Sequence, residues 1–197
     1  MTKEAPAIQA WLEQLGRMRE MQYVYHRKFF HGLYFFLVLV TVCLFWDSPL
    51  SLALVPLLVI TAGTQSCFYL HFVDFARIHA RHLEERLNRA LGKDTLLGSE
   101  IEDLYFYPIN APKIGGFVPS FPLRFFSFFT LHWVVLWFGL AAFALWRLLP
   151  TMGSCGRTYL FFVALWGGLN FTYLAWFFGR GVSAKSVDRR CRTDRRQ

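Results

Sequence analysis

Charge is what this chain has least of. Only 17% of its 197 residues are Asp, Glu, Lys or Arg, against about a quarter in an ordinary soluble domain. Four stretches hold none at all: Phe29 to Trp46, Ser48 to Val73, Phe125 to Trp146 and Thr158 to Gly179, of 18, 26, 22 and 22 residues. About 20 apolar residues cross a hydrocarbon core roughly 30 Å thick. Each uncharged run therefore excludes a surface helix and fits a membrane span. Cysteine is scarce too: four residues, with no CxxC pair and no His/Cys ligand spacing. That excludes a disulfide scaffold and a zinc module. Cys43 and Cys155 fall near one face of the expected bundle, where a single disulfide competes with two free thiols, and free thiols are expected.

The signatures of nucleophilic, phosphate and metalloprotease chemistry are also missing. There is no GxSxG, no HExxH, no P-loop and no GxGxxG between a strand and a helix. No internal repeat is found. Asn170-Phe171-Thr172 matches a glycosylation sequon, but it lies inside an apolar run that the acceptor machinery does not reach. The first run does not read as a cleaved signal, because 28 residues precede it and no small-x-small site follows Trp46.

What the chain does have is apolar bulk: 55% hydrophobic and 19% aromatic residues, with 22 Phe and 7 Trp. An all-α membrane protein of four transmembrane helices is expected. The formal charge of +8 is informative through its placement. Of the 21 basic residues, 5 precede Phe29, 7 lie between Asp74 and Arg124, and 7 follow Gly179, leaving only Arg147 and Arg157 elsewhere. The positive-inside rule then puts both termini in the cytoplasm. A bacterial cytoplasmic membrane is the expected location, and no nucleic-acid partner is expected, since topology already accounts for the arginines.

Taken in order, residues 1–28 read as an amphipathic helix with Ile8, Trp11, Leu12, Leu15, Met18 and Tyr25 at helical spacing. It would lie on the inner membrane surface or dock on the stalk described next. Residues 29–73 form a transmembrane hairpin around the short turn WDSPL. The second helix carries Pro56 near its outer end and continues past Val73 as VDFARIHARHLEERLNRAL. At about 1.5 Å per residue those 18 further residues reach roughly 27 Å into the cytoplasm before Gly92 stops them. Ser99 and Glu102 have capping-box spacing at the head of a short helix ending at Tyr105. YPINAPKIGGFVPSFPLRFF, with four prolines, reads as an irregular interfacial strap that closes the segment 74–124. Residues 125–179 form a second hairpin, whose last helix carries the small-residue stripe Ala164, Gly168 and Thr172 for bundle packing or self-association. The tail 180–197 is basic and reads as disordered, adhering to anionic headgroups.

Polar side chains inside spans are costly, so their depth carries information. With cytoplasmic termini, His31, Thr64, Gln65, His71, Thr130, His132, Asn170, Thr172 and Tyr173 all fall in the inner half of their spans. Projected at 100° per residue, His71, Asp74, His82 and Glu85 lie within about 80° of one another, with Arg89 on the same stripe. His71 and His82 are about 16 Å apart along the axis and cannot share a metal on one straight helix.

Three readings compete. In the first, His31, His71 and His132 converge with Asp74 on a metal, haem or proton; the dense HxxxH and HxxHH clusters of membrane di-iron enzymes are not found. In the second, Thr64, Gln65, Thr130, Asn170, Thr172 and Tyr173 line a pore or a lipid or small-molecule pocket. In the third, the histidines are interfacial, and the stalk with His82, Glu85 and Arg89 binds a protein partner or another copy. The third is preferred: a binding or assembly protein rather than an enzyme, with no cofactor expected. His26, His79 and Glu84 are read as solvated or interface residues.

Overall fold

The computed structural model describes residues 5–105 and 125–179, without the side chains of 5, 104, 105 and 125–127. The expected strap and the basic tail lie outside the described residues. Those described are all helical, with no strand. Five helices follow one another: α1 (Ala5–Trp46), α2 (Pro49–Leu91), α3 (Gly98–Tyr105), α4 (Phe125–Met152) and α5 (Cys155–Gly179). All but α3 are long and apolar enough to cross a membrane.

No break separates the amphipathic segment 1–28 from the first apolar run. α1 is one helix of 42 residues, about 63 Å long, because nothing between Pro6 in its first turn and Trp46 interrupts the ladder. Asp47 turns the chain at φ +51°, a left-handed conformation that a short polar side chain tolerates. Ser48 then caps α2: its hydroxyl accepts from the Ser51 N–H at 3.1 Å, while the Ser51 hydroxyl accepts from the Ser48 N–H at 3.0 Å. Pro49 follows in the first turn, where its missing N–H costs nothing. At the other end, Gly92 adopts φ +65° and ends the helix where the sequence expects it to end.

α2 is the hub of the molecule, since every other helix packs against it. It runs antiparallel to α1 along most of both lengths, and α4 and α5 flank its first half. The core of the four long helices is Phe29, Leu33 and Val40 of α1, Leu52, Val55 and Ala62 of α2, and Trp137, Ala144 and Leu148 of α4. Pro56 is buried inside α2, and the Tyr159 hydroxyl of α5 donates to the Ala53 carbonyl one turn before it, at 2.8 Å. Trp137 Nε1 is buried with no hydrogen-bond partner among the described residues. Cys43, Cys67 and Cys155 are free thiols.

Arg147 and Arg157 both lie within helices: α4 runs six residues past Trp146 and α5 starts at Cys155, so Gly153 and Ser154 alone join them, with Gly153 at φ +52°. Pro150 lies inside α4, in its last turn, and the helix ends two residues after it at Met152. Arg147 bonds Asp47 at 2.6 Å and so ties the two hairpin turns together. The stripe Ala164, Gly168 and Thr172 faces away from the bundle and is exposed, so that of its two expected uses, bundle packing and self-association, the first is not made. The approach to α2 is made instead by Gly167, where a Cβ would lie 3.6 Å from Ile60.

The outward faces of the long helices are apolar. Phe45, Trp46, Phe138, Trp146, Phe161 and Phe171 are all exposed, and none of the most apolar stretch of α5 is buried. A water-soluble monomer rarely leaves patches of that size open.

Candidate functional site

The helices change character at one level. Tyr25 of α1 stacks on Phe72 of α2 with centroids 4.7 Å apart, and Phe30 meets Phe129 of α4 at 5.5 Å. His71 meets Phe177 and Phe178 of α5 at 5.5 and 5.2 Å. These contacts bring Lys28 in α1, Asp74 in α2, the start of α4 and the end of α5 to a common height. On one side of it the side chains are uncharged as far as Asp47, Arg147 and Arg157 at the opposite end of the bundle. On the other, the first half of α1, the second half of α2 and the whole of α3 form a layer of three helices.

That layer is held by an ion network that spacing alone did not reveal. Arg19 of α1 donates to Glu84 of α2 through Nη2 and to Glu102 of α3 through Nη1. Gln22, one turn on, donates to the same Glu102 oxygen at 2.8 Å. Arg77 is 3% exposed and reaches Glu102 at 3.4 Å and Asp103 at 3.2 Å, with Asp74 at 3.9 Å. Arg81 joins Asp103 at 3.1 Å to Glu85 at 3.3 Å. Charges taken this far out of water are tolerated when each is paired and its remaining hydrogen-bonding groups are met.

Glu84 is therefore not a solvated residue. It is 4% exposed, and its second oxygen accepts from the Ser99 N–H at 2.9 Å. A carboxylate at the head of a helix satisfies an orphan donor and complements the dipole. This changes the expected capping box. Ser99 lies inside α3, and the Glu102 carboxylate is occupied by Arg19, Gln22 and Arg77. Gly98 makes the arrangement fit, since a Cβ there would lie 2.7 Å from Arg19 Nη2 and 2.8 Å from Glu84 Oε1. Asn88 closes the turn between α2 and α3, donating to the Leu96 carbonyl at 3.0 Å and accepting from its N–H at 2.9 Å.

Three histidines of this layer lie outside the apolar runs, His26, His79 and His82, and all are half-buried. Desolvation first, then the nearby Arg77 charge, holds His26 below the ordinary imidazole value, while Glu102 pulls the other way. Desolvation and then His82 lower His79. His79 also packs edge-on to Phe75 at 4.7 Å.

The polar residues of the inner half-layer are distributed differently from any common site. Thr64 donates to the Ile60 carbonyl at 2.9 Å and lies 3.1 Å from Asn170 Oδ1, while Asn170 Nδ2 donates to the Trp166 carbonyl at 2.8 Å. Gln65 donates to the Tyr69 hydroxyl at 2.7 Å. Thr130 is buried, whereas Thr172 and Tyr173 face outward, Tyr173 stacking on Trp176.

His31 and His132 are exposed and His71 lies among phenylalanines, so the structure does not bring these three together. Among the described residues, no three His, Cys, Asp or Glu side chains are grouped as metal ligands. On the stalk stripe, His82 lies 3.9 Å from Glu85, and Arg89 donates to the Glu85 carbonyl at 3.2 Å.

Fold and layer together define a class: an all-helical protein with four helices suited to crossing a membrane and a charged three-helix layer at one end. No family model, characterised protein or solved structure matches the chain, so its function rests on this geometry.

Proposed function

We propose that this chain is a four-span integral membrane protein whose cytoplasmic three-helix layer docks a protein partner. The membrane reading is supported by the common height at which all four long helices pass from charged to uncharged sequence. Between Phe29 and Trp46 lie 18 residues of α1, or about 27 Å of helix, close to the thickness of a hydrocarbon core. The outward phenylalanines and tryptophans then face acyl chains. The basic residues flanking this height support a cytoplasmic surface there, by the positive-inside rule.

One observation carries the docking role. At the far end of the layer, away from the lipid-facing band, Leu12, Leu91 and Leu97 are each 45–49% exposed, and Ile101, further along α3 beside Glu102, is 52% exposed. Antiparallel packing brings α1 and α2 together there, with Arg19 meeting Glu84 one to two turns nearer the membrane. Large aliphatic side chains held open to water on a rigid, ion-paired support are what a helical partner packs against. The test is site-specific photocrosslinking in intact cells, with the probe at Leu97, Ile101 or, as control, Glu20. Discrete adducts at the first two positions, lost on Leu91→Asp, are expected. Equal labelling at Glu20, or none at the tip, rejects the reading.

A further inference from the structure

We propose that Arg27, Lys28 and His31 of α1 form a binding site for the phosphate of an anionic phospholipid, a reading that rests on the membrane placement above. The three residues sit at i, i+1 and i+4, so on a helix His31 lies within 40° of Arg27 and 60° of Lys28, by about 100° per residue. All three are exposed, on the side of α1 opposite the Phe29, Leu33 and Val40 face that packs into the core. Charge pairing sets this group apart from the ion network of the layer. Arg19, Arg77 and Arg81 are matched by carboxylates of α2 and α3, whereas no carboxylate of the described residues lies within ion-pair reach of Arg27 or Lys28. Lys28 makes one contact, 5.2 Å above the Tyr25 ring on its own helix, which leaves its ammonium free to meet an anion.

His31 adds the second argument. It lies one turn inside the apolar run and faces outward without a hydrogen-bond partner among the described residues. An imidazole with an unmet N–H is costly against hydrocarbon, and the cost disappears when a phosphate or ester oxygen lies at that depth. Below it on the same side are Tyr34, Phe35 and Val38, 58–62% exposed, along which an acyl chain continues. The site thus has a cationic upper rim, a donor at glycerol depth and an apolar track beneath.

The experiment is native mass spectrometry of the full chain released from nanodiscs that contain equal phosphatidylglycerol and phosphatidylcholine. The chain is expected to retain phosphatidylglycerol preferentially, and Arg27→Gln and Lys28→Gln each to lower that preference about fivefold, as loss of one charge near an anionic surface does. His31→Phe is expected to shorten retention of both charged and neutral lipids. Arg17→Gln/Arg89→Gln, which removes two exposed charges from the far part of the layer, is the control and is expected to leave retention unchanged. Equal retention of the two lipids, or an equal loss in the control, overturns the proposal. A chain that is extracted from membranes by alkaline carbonate would instead overturn the membrane placement itself.

Discussion

Glu84 illustrates how much a single carboxylate does here. It pairs with Arg19 of one helix and caps the first turn of another, so its removal leaves the half-buried Arg19 guanidinium with Glu102 as its one carboxylate and the Ser99 N–H without an acceptor. Glu84→Ala is expected to cost the layer about 3 kcal/mol, measured as faster amide exchange over residues 98–103, with the apolar spans unchanged. Nothing in the sequence marked this residue. The stretch HLEERL offers two adjacent glutamates, and helical projection favours Glu85 because it shares a stripe with His82. Which of the two is buried depends on Arg19 and Ser99, respectively 65 and 15 residues away, and pairings over such distances leave no periodic trace.

The histidines give the same layer a pH response. His26 and His79 are both held below the ordinary imidazole value of 6.5 in the folded chain. The unfolded chain therefore takes up protons first as the pH falls, and folding of the layer is weakened below that value and indifferent to pH above it. Protection factors across α3, which refer each exchange rate to the intrinsic rate at that pH, are expected to fall between pH 6.5 and 5 and to stay level from 7 to 8. Replacing both histidines by Gln is expected to flatten the imidazole part of that fall. A loss of protection toward alkaline pH would contradict the assignment.

At the scale of elements, the helices were largely legible and their orientations were not. Uncharged runs located all four long helices, and Gly92 located the end of α2. Its αL geometry is expected to make Gly92→Ala destabilising by about 1 kcal/mol, seen as fraying of residues 88–91 by hydrogen exchange. The continuity of α1 was less visible, because the change from amphipathic to apolar composition at Phe29 looks like a boundary although the backbone passes through it. The small-residue stripe of α5 shows the limit most clearly. Gly167 and Gly168 are neighbours 100° apart, one against Ile60 and the other in open space. A helix that is apolar all round has no moment by which to tell them apart; the choice is made by the Thr64–Asn170 contact one turn away.

For the molecule as a whole, the central prediction is sidedness. Reporter fusions at Ser48 and Gly153 are expected to show an external signal, and fusions at Gly92 and Gln197 a cytoplasmic one. An external signal at Gly92 would invert the bundle and remove the basis for a cytoplasmic docking layer. The gathering of polar residues into one half of the bundle was legible from spacing, but its meaning was not. Once folded, Thr64 and Asn170 meet each other, Gln65 meets Tyr69, and His31, His71 and His132 are not grouped as metal ligands.

The uninterrupted course of α1 and α2 has a mechanical consequence. Both helices pass the level of Lys28 and Asp74 unbroken: Gly32, one turn from Lys28, is packed against Tyr69 of α2, where a Cβ would lie 3.6 Å away, and Pro56 lies some 18 residues from Asp74, toward the opposite end of α2. A helix bends sharply only where its ladder is broken, so this pair has no joint at the bilayer surface and behaves as a lever with its fulcrum in the lipid. Sideways load on the tip near Leu97 would be delivered as tilt of the first two spans, and the Asp47–Arg147 link would carry it on to the fourth helix. In this architecture a partner that merely leans on the outer end of the layer already moves the part embedded in the membrane.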